Sequence, residues 1–443
     1  MTNKILGNKI SASDLFTNIV YLYLFGALVY LVGCSIYTTF YTPSNFNNEV
    51  LDYFSFIISD WLINYEGGFV RRGIIGELIY LCYGIHPFSV KTCIFVTNII
   101  SFIIFLYLFW KICKRNSFTM IPILAIFCET GLMSFVYRRD FIILILAYIS
   151  FLYFCKFFRK RNTIYAVFSN IIMCISILIH EAFFFFVIPV LLLTCLFVDE
   201  KKTGRRIITY LMFFLLPVFT MAMVSFYKGT NEISSVIWQS WQDLFQAYPD
   251  DSTNKIGQGV IWLSKSFYDA AYFHLATNFR THYGLLTAMY CLFGFITLLA
   301  FTYFLVIYNP RPRNFHYSHR EKHITLGKIL TIQFLAMSPM FTVLSCDYAR
   351  TVMYCVVSSI FFYDCLKRHR LLLNTQSCKA TYHINKYIPP TISHIYKRIL
   401  NYVDNNSNWL YPLIILLYPI HIAGRILIPF DCHIIHLLFP DLI

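Results

Sequence analysis

Charge is what this chain has least of. Asp, Glu, Lys and Arg together make up 13% of its 443 residues, while 58% are hydrophobic. So little charge cannot cover the surface of a soluble domain of this size. Neither a G-x-x-x-x-G-K-[ST] loop nor a G-x-G-x-x-G fingerprint occurs, so nothing marks a nucleotide-binding domain. The fourteen cysteines include no C-x-x-C pair. Many of them, Cys93, Cys113, Cys128, Cys155, Cys174 and Cys195 included, fall in apolar segments and read as small hydrophobes rather than as a disulfide or zinc framework. Acids are scarcer than bases, 22 against 36. In a soluble protein that imbalance would suggest nucleic acid. In a chain this apolar it records basic loops on one side of a membrane, and no nucleic-acid partner is expected.

Apolar runs are abundant. They recur from end to end near the length of about 20 residues that crosses a bilayer. The expected fold is all-α: a polytopic membrane protein with about 10 or 11 transmembrane helices in one membrane-embedded domain over residues 1–443. Residues 1–14, with Lys4 and Lys9, are expected in the cytoplasm, and residues 16–38 form a first span leading outward. Leu31-Val32-Gly33-Cys34 has the form of a lipoprotein cleavage box, but a first span accounts for the same residues. A first outer loop covers residues 39–88. Within it residues 74–83 are too short to cross and predict an interfacial or re-entrant helix.

Further spans are expected at residues 89–110, 118–137 and after Asp140, the last closing on Lys156, Arg159, Lys160 and Arg161. The apolar run over 164–198 is too long for one helix, and His180-Glu181 divides it at an outer turn. A span over 207–226 precedes a large outer segment, residues 227–283, with Trp238, Trp241 and Trp262 and helices lying on the surface. Later spans turn outside at Asp347 to Arg350 and return at Lys367, opening a basic cytoplasmic segment over 367–408. Residues 409–430 cross or dip in, and no sizeable outer tail is expected after them. Most lysines and arginines thereby fall on the inner segments, as the positive-inside rule requires.

Against that rule stand arginine pairs on the outer side. The densest stretch reads Glu66-Gly67-Gly68-Phe69-Val70-Arg71-Arg72-Gly73, with Asp60 just upstream. Paired arginines suit phosphate because each guanidinium presents a flat fork of donors and stays charged. Gly67, Gly68 and Gly73 are read as freeing the backbone to approach a bulky anion. Arg138-Arg139 with Asp140, His180-Glu181, and Asp347 with Arg350 repeat the pattern at the same depth. The alternative is a set of salt bridges capping tight turns, or a loop anchored to headgroups. Glu129 lies deeper, about 14 Å below Arg138 at helical rise, as a protonated carboxyl bonded to a neighbouring helix. His433 and His436 have ligand spacing without acidic or cysteine partners, so no metal is expected.

Carboxylates and arginines gathered on an outer face suit a lipid-linked phosphate sugar. Arginines would hold the phosphate as it leaves, and a carboxylate would take the acceptor hydroxyl's proton. Glu66 is the first candidate for that base, with Asp60 as the alternative. Arg71, Arg72, Arg138, Arg139, Asp140, His180, Glu181, Asp347 and Arg350 are candidates for binding substrate. Such a donor requires no cofactor.

In size, span number, outer-loop acids and the Glu-Gly-Gly-Phe-Val-Arg-Arg-Gly stretch, the chain resembles the serotype-converting glucosyltransferases of enterobacterial phages and prophages. That resemblance implies a GT-C-like fold in the inner membrane, with its active site facing the periplasm. It also implies glucose transfer from undecaprenyl-phosphate glucose to a lipid-linked O-antigen of lipopolysaccharide. Two other functions fit the same layout: an O-antigen polymerase, and a transporter or flippase without chemistry. A transporter would place charge near the midplane in repeated halves. Here charge gathers at one face.

Overall fold

The computed structural model describes residues 12–41, 55–116, 118, 120, 138–198, 204–246, 256–265, 268–269, 271–272, 296, 299–302, 304–306, 319–344, 348–371 and 409–418. Among these the secondary structure is entirely helical. All of the expected span over 118–137 but Phe118 and Met120, and with it Glu129, lies outside the described residues, as do Asp347, His433 and His436.

The long helices are α1 (Ala12–Tyr41), α4 (Val90–Asn116), α5 (Asp140–Lys160), α6 (Thr163–Ile179), α7 (Ala182–Val198), α8 (Gly204–Phe226), α12 (His319–Ala336) and α13 (Tyr348–Arg368). Short ones are α2 (Phe56–Ser59), α3 (Gly73–Ile85), α9 (Asn231–Gln239), α10 (Gln242–Gln246) and α11 (Gln258–Ile261). By length and composition α4 and α5 can each cross a membrane. Leu211–Phe226 and Asn231–Gln239 form a third candidate, bent by 94°. At about 1.5 Å per residue the 21 residues of α5 extend about 31 Å, the thickness of a hydrocarbon core.

Two apolar cores organise these elements. The larger lies inside the bundle, where α5 packs on α4, α6, α7 and α13. Phe105, Phe151, Phe154, Phe183 and Phe186 are fully buried there. Aromatic residues supply most of this interdigitation, as in the stacked pair Phe186–Tyr354 with centroids 4.9 Å apart. Cys155, Cys195, Cys355 and Cys365 are buried in the same core, packing as small apolar groups. Outward faces of α4, α6 and α8 stay greasy: Ile103, Ile164 and Met212 are all exposed.

The smaller core caps one end of the bundle. Trp61, Leu62, Ile63, Val70, Trp238, Trp241, Val260 and Leu263 bury their side chains in it. The segment over 227–283 is expected to hold Trp238, Trp241 and Trp262 and helices lying on the surface. Trp238 and Trp241 instead form the interior of the cap, while Trp262 contributes a backbone carbonyl. The reason is the 94° bend after α8, which folds α9 to α11 back over residues 55–65. Polar bonds hold the fit: Trp241 Nε1 donates to the Leu62 carbonyl at 2.8 Å, and Gly259 N–H to Ser59 Oγ at 2.8 Å.

Glycine serves packing here. A Cβ on Gly76 would lie 1.9 Å from the Ile63 carbonyl oxygen, and one on Gly73 would lie 2.3 Å from the Tyr65 ring. On Gly67 it would meet the Ile233 carbonyl at 2.8 Å. The reading of Gly67 and Gly73 as an opening for an anion is therefore corrected: protein backbone and side chain occupy that space. Gly68 alone fits the conformational argument, with φ +109° and open surroundings. Gly76→Ala is expected to destabilise the solubilised protein by about 1–3 kcal/mol, since neither backbone can yield. Gly84→Ala, on the same helix with nothing within 4 Å, should be neutral or stabilising by up to about 1 kcal/mol. Thermal unfolding in one detergent compares the two.

Candidate functional site

Five segments remote in sequence meet where the cap joins the bundle. The 3₁₀ turn Asp60–Leu62 brings Asp60, and the loop before α3 brings Arg71 and Arg72. Arg139 caps α5, and His180 and Glu181 form the corner between α6 and α7. The start of α13 adds Arg350, whose Nη1 lies 3.9 Å from Asp140 Oδ1.

Arg72 is the hub. Its Nε donates to both oxygens of Glu181, at 3.1 and 2.9 Å, and Nη2 pairs with Oε1 of the same carboxylate. Nη1 turns the other way, to Asp60 Oδ1 at 3.2 Å. This fork spans two carboxylates because guanidinium is flat and carries donors on both edges. Its backbone sits at φ 64°, ψ 5°, the left-handed region that a non-glycine residue adopts at a cost. The ion pairs and the packed helix start hold it there.

Arg139 is almost fully buried. Its Nη1 donates to the carbonyls of Arg72 at 2.7 Å and Ile179 at 3.2 Å, and Nη2 bonds the Asp60 carbonyl. The Asp60 carboxylate lies 3.4 Å from Nη2, and the guanidinium packs over the Trp61 ring at 5.3 Å. Arg139 thus ties cap backbone to bundle backbone.

Burial alone would raise the pKa of Asp60, but Arg139 and Arg72 outweigh it and hold the carboxyl below its usual value. Glu181 is held well below the usual carboxylate range: burial again opposes ionisation, and Arg72 overcomes it. His180 goes the opposite way. Burial, reinforced by Arg72, lowers its pKa from 6.5 to about 3. Ala182 N–H donates to His180 Nδ1 at 3.1 Å, so that nitrogen is an acceptor and the imidazole is neutral. The 3.7 Å approach of His180 to Glu181 is therefore no ion pair.

A pH dependence follows. Between about pH 6.5 and about 3 the unfolded chain binds a proton at residue 180 that the folded chain refuses. Stability therefore falls on acidification through that window, by up to about 1.4 kcal/mol per pH unit. His180→Asn, which keeps an acceptor but does not titrate, is expected to flatten the unfolding midpoint between pH 7 and pH 5.

Arg71 differs from its neighbour. One amine nitrogen bonds the Trp262 carbonyl at 2.6 Å. Among the described residues no carboxylate pairs with it, and it is partly exposed. Glu66 is exposed, in the turn closed by Gly68 N–H to the Tyr65 carbonyl at 2.9 Å. The cluster thus gathers Asp60, Arg72, Arg139, His180 and Glu181, with the Asp140–Arg350 pair on the same rim. Glu66 stands outside its bonds, Arg138 is partly exposed beside Arg139, and Asp347 lies outside the described residues.

Two acids outside the candidate set have defined partners. Glu77 accepts from the Tyr65 amide at 2.8 Å, which fixes the turn carrying Glu66. Asp364, fully buried at the opposite end of the bundle, binds Arg115 Nε at 2.7 Å and Asn116 Nδ2 at 2.7 Å. Its signal was present: a lone acid in an apolar run needs a partner. Among the described residues no group of three His, Cys, Asp or Glu side chains could hold a metal ion. Comparison with known proteins returns no matching family model, no matching curated protein and no matching solved structure.

Proposed function

We propose that this chain is an integral inner-membrane glycosyltransferase of GT-C-like architecture, with about ten spans, acting on a polyprenyl-phosphate sugar at the periplasmic face. The donor in this reading is undecaprenyl-phosphate glucose and the acceptor a lipid-linked O-antigen. The observation that carries it is Arg71, a partly exposed guanidinium that makes no direct ion pair among the described residues, beside a cluster in which Arg72 bonds both Asp60 and Glu181. A guanidinium at the rim of an apolar bundle, with donors not taken up by a carboxylate, suits a phosphate that arrives from the lipid side.

The division of labour follows. Arg71 holds the phosphate and stabilises its charge as the bond to the anomeric carbon breaks. Glu66, exposed and free of the ionic cluster, accepts the proton as the acceptor oxygen bonds that carbon. Asp60, Arg72, Arg139 and Glu181 keep the cap, whose loop carries both groups, seated on the bundle. Basic residues support the orientation: Lys111, Lys114, Lys156, Arg159, Lys160 and Arg368 all lie on helix segments at the end away from this cluster, the cytoplasmic end by the positive-inside rule.

O-antigen composition with and without the gene tests the reading. A glucosyl branch that appears with the wild type and is lost in Arg71→Ala is the expected result. A change of chain length would indicate a polymerase, and unchanged O-antigen would remove the enzymatic reading.

A further inference from the structure

The end of the bundle opposite the carboxylate–arginine cluster carries cations of one sign. α5 ends in Lys156, Arg159 and Lys160, and α13 ends in Lys367 and Arg368 followed by His369 and Arg370. Asp364 is the acid among them, and it is buried and consumed by Arg115 and Asn116. Lys367 Nζ reaches Asn116 Oδ1 at 3.2 Å, and Arg368 Nη1 reaches Tyr148 OH at 3.1 Å. Both of those partners are neutral, so neither cation loses its charge. His369 lies between the two helix ends. Its Nε2 is buried with no hydrogen-bond partner among the described residues. Burial first, then Arg368, Arg159, Lys156 and Lys160, lower its pKa. Like charges crowd around one imidazole at this end of the bundle.

The flank of this patch is apolar. Lys156 Nζ stacks over Tyr153 at 5.0 Å and over Tyr165 at 5.7 Å, where Lys160 also stacks at 5.7 Å. Phe168 stacks on Tyr153 at 5.7 Å, and Ile164, Val167 and Phe168 are exposed directly below. Cations set above an exposed hydrophobic strip match a ligand with an anionic head and hydrocarbon tails.

We infer that the basic surface at the ends of α5 and α13, formed by Lys156, Arg159, Lys160, Arg368 and His369, binds the phosphate headgroup of an anionic phospholipid. Its acyl chains lie along Ile164, Val167 and Phe168. A free phosphate satisfies the cations but leaves that strip uncovered, so the occupant is the lipid. The inference rests on the reading that this chain spans a membrane.

The test uses the full chain in phosphatidylcholine nanodiscs, with phosphatidylglycerol titrated in and bound lipid read by native mass spectrometry. Arg159 and Lys160 are exposed, so Arg159→Gln/Lys160→Gln removes charge without touching the core. Each basic group near an anionic lipid surface contributes about fivefold in affinity. The double variant is therefore expected to bind phosphatidylglycerol about 25-fold more weakly at an unchanged unfolding temperature. Lys228→Gln/Lys265→Gln, at the cap end, should bind like wild type. Equal binding by wild type and the α5 variant, equal binding of phosphatidylcholine, or displacement by equimolar inorganic phosphate would each overturn the site. Wild-type protein that fails to enter phosphatidylcholine nanodiscs would overturn the membrane reading itself, a result distinct from the other three.

Discussion

Arg72→Ala is expected to leave an inactive protein that unfolds far more easily than wild type. The substitution strands two carboxylates, Asp60 and Glu181, at sites only 13% and 19% exposed. Removing one partner of a buried ion pair typically costs about 3–5 kcal/mol, because the remaining charge stays desolvated. Two charges are orphaned here, with Arg139 left as partial compensation for Asp60. Arg72→Lys keeps the charge but not the two-edged fork, so it should recover part of the stability and little activity. Arg72→Gly separates backbone from charge: it relieves the φ of 64° and still removes the ion pairs. Wild-type unfolding temperature in Arg72→Gly would show that the cluster contributes nothing to the seating of the cap.

Glu66→Gln should behave in the opposite way. The side chain is exposed, so its unfolding temperature should match wild type while turnover falls. A general base is worth about 10²–10⁴-fold, and glutamine keeps the shape of the side chain while losing the proton acceptor. Donor binding, measured with undecaprenyl-phosphate glucose in detergent, should change little because Arg71 is intact. Asp60→Asn is the needed companion. It weakens bonds from Arg72 and Arg139, so it should lose stability together with activity. If Glu66→Gln turns over normally while Asp60→Asn is stable and dead, the base is Asp60.

The glycines show where local reading misleads. A Gly-Gly-x-x-Arg-Arg-Gly stretch has the composition of an anion loop, yet Gly67 and Gly73 lie against Ile233 and Tyr65. Whether a missing Cβ admits a ligand or a neighbouring segment depends on what lies opposite, and for Gly67 that segment is well over a hundred positions away. The tryptophans of the outer segment pose the same problem. Their aromatic bodies suit a membrane interface or a small core equally well, and the 94° bend after α8 selects the core.

Among the described residues the sequence by itself determined that the elements are helices and where several of them break. Of the ten or eleven spans expected, two of the described helices, or three with the bent pair, are long and apolar enough to cross. Apolar run length, the polar pair His180-Glu181 and the basic ends after Lys156 and Lys367 are local, and helix boundaries obey local rules. It also determined that charges would concentrate at helix ends, because apolar segments exclude them. Only the tertiary structure decided which charges cancel. Arg71 and Arg72 are adjacent and chemically identical, but one is spent on Glu181, 109 positions away, and the other is left with a backbone carbonyl. Arg115 likewise finds Asp364 across 249 positions. Coulomb attraction falls off with distance in space and is blind to distance along the chain, so a residue's remaining charge, and with it the capacity to bind a substrate, is fixed only when the helices pack.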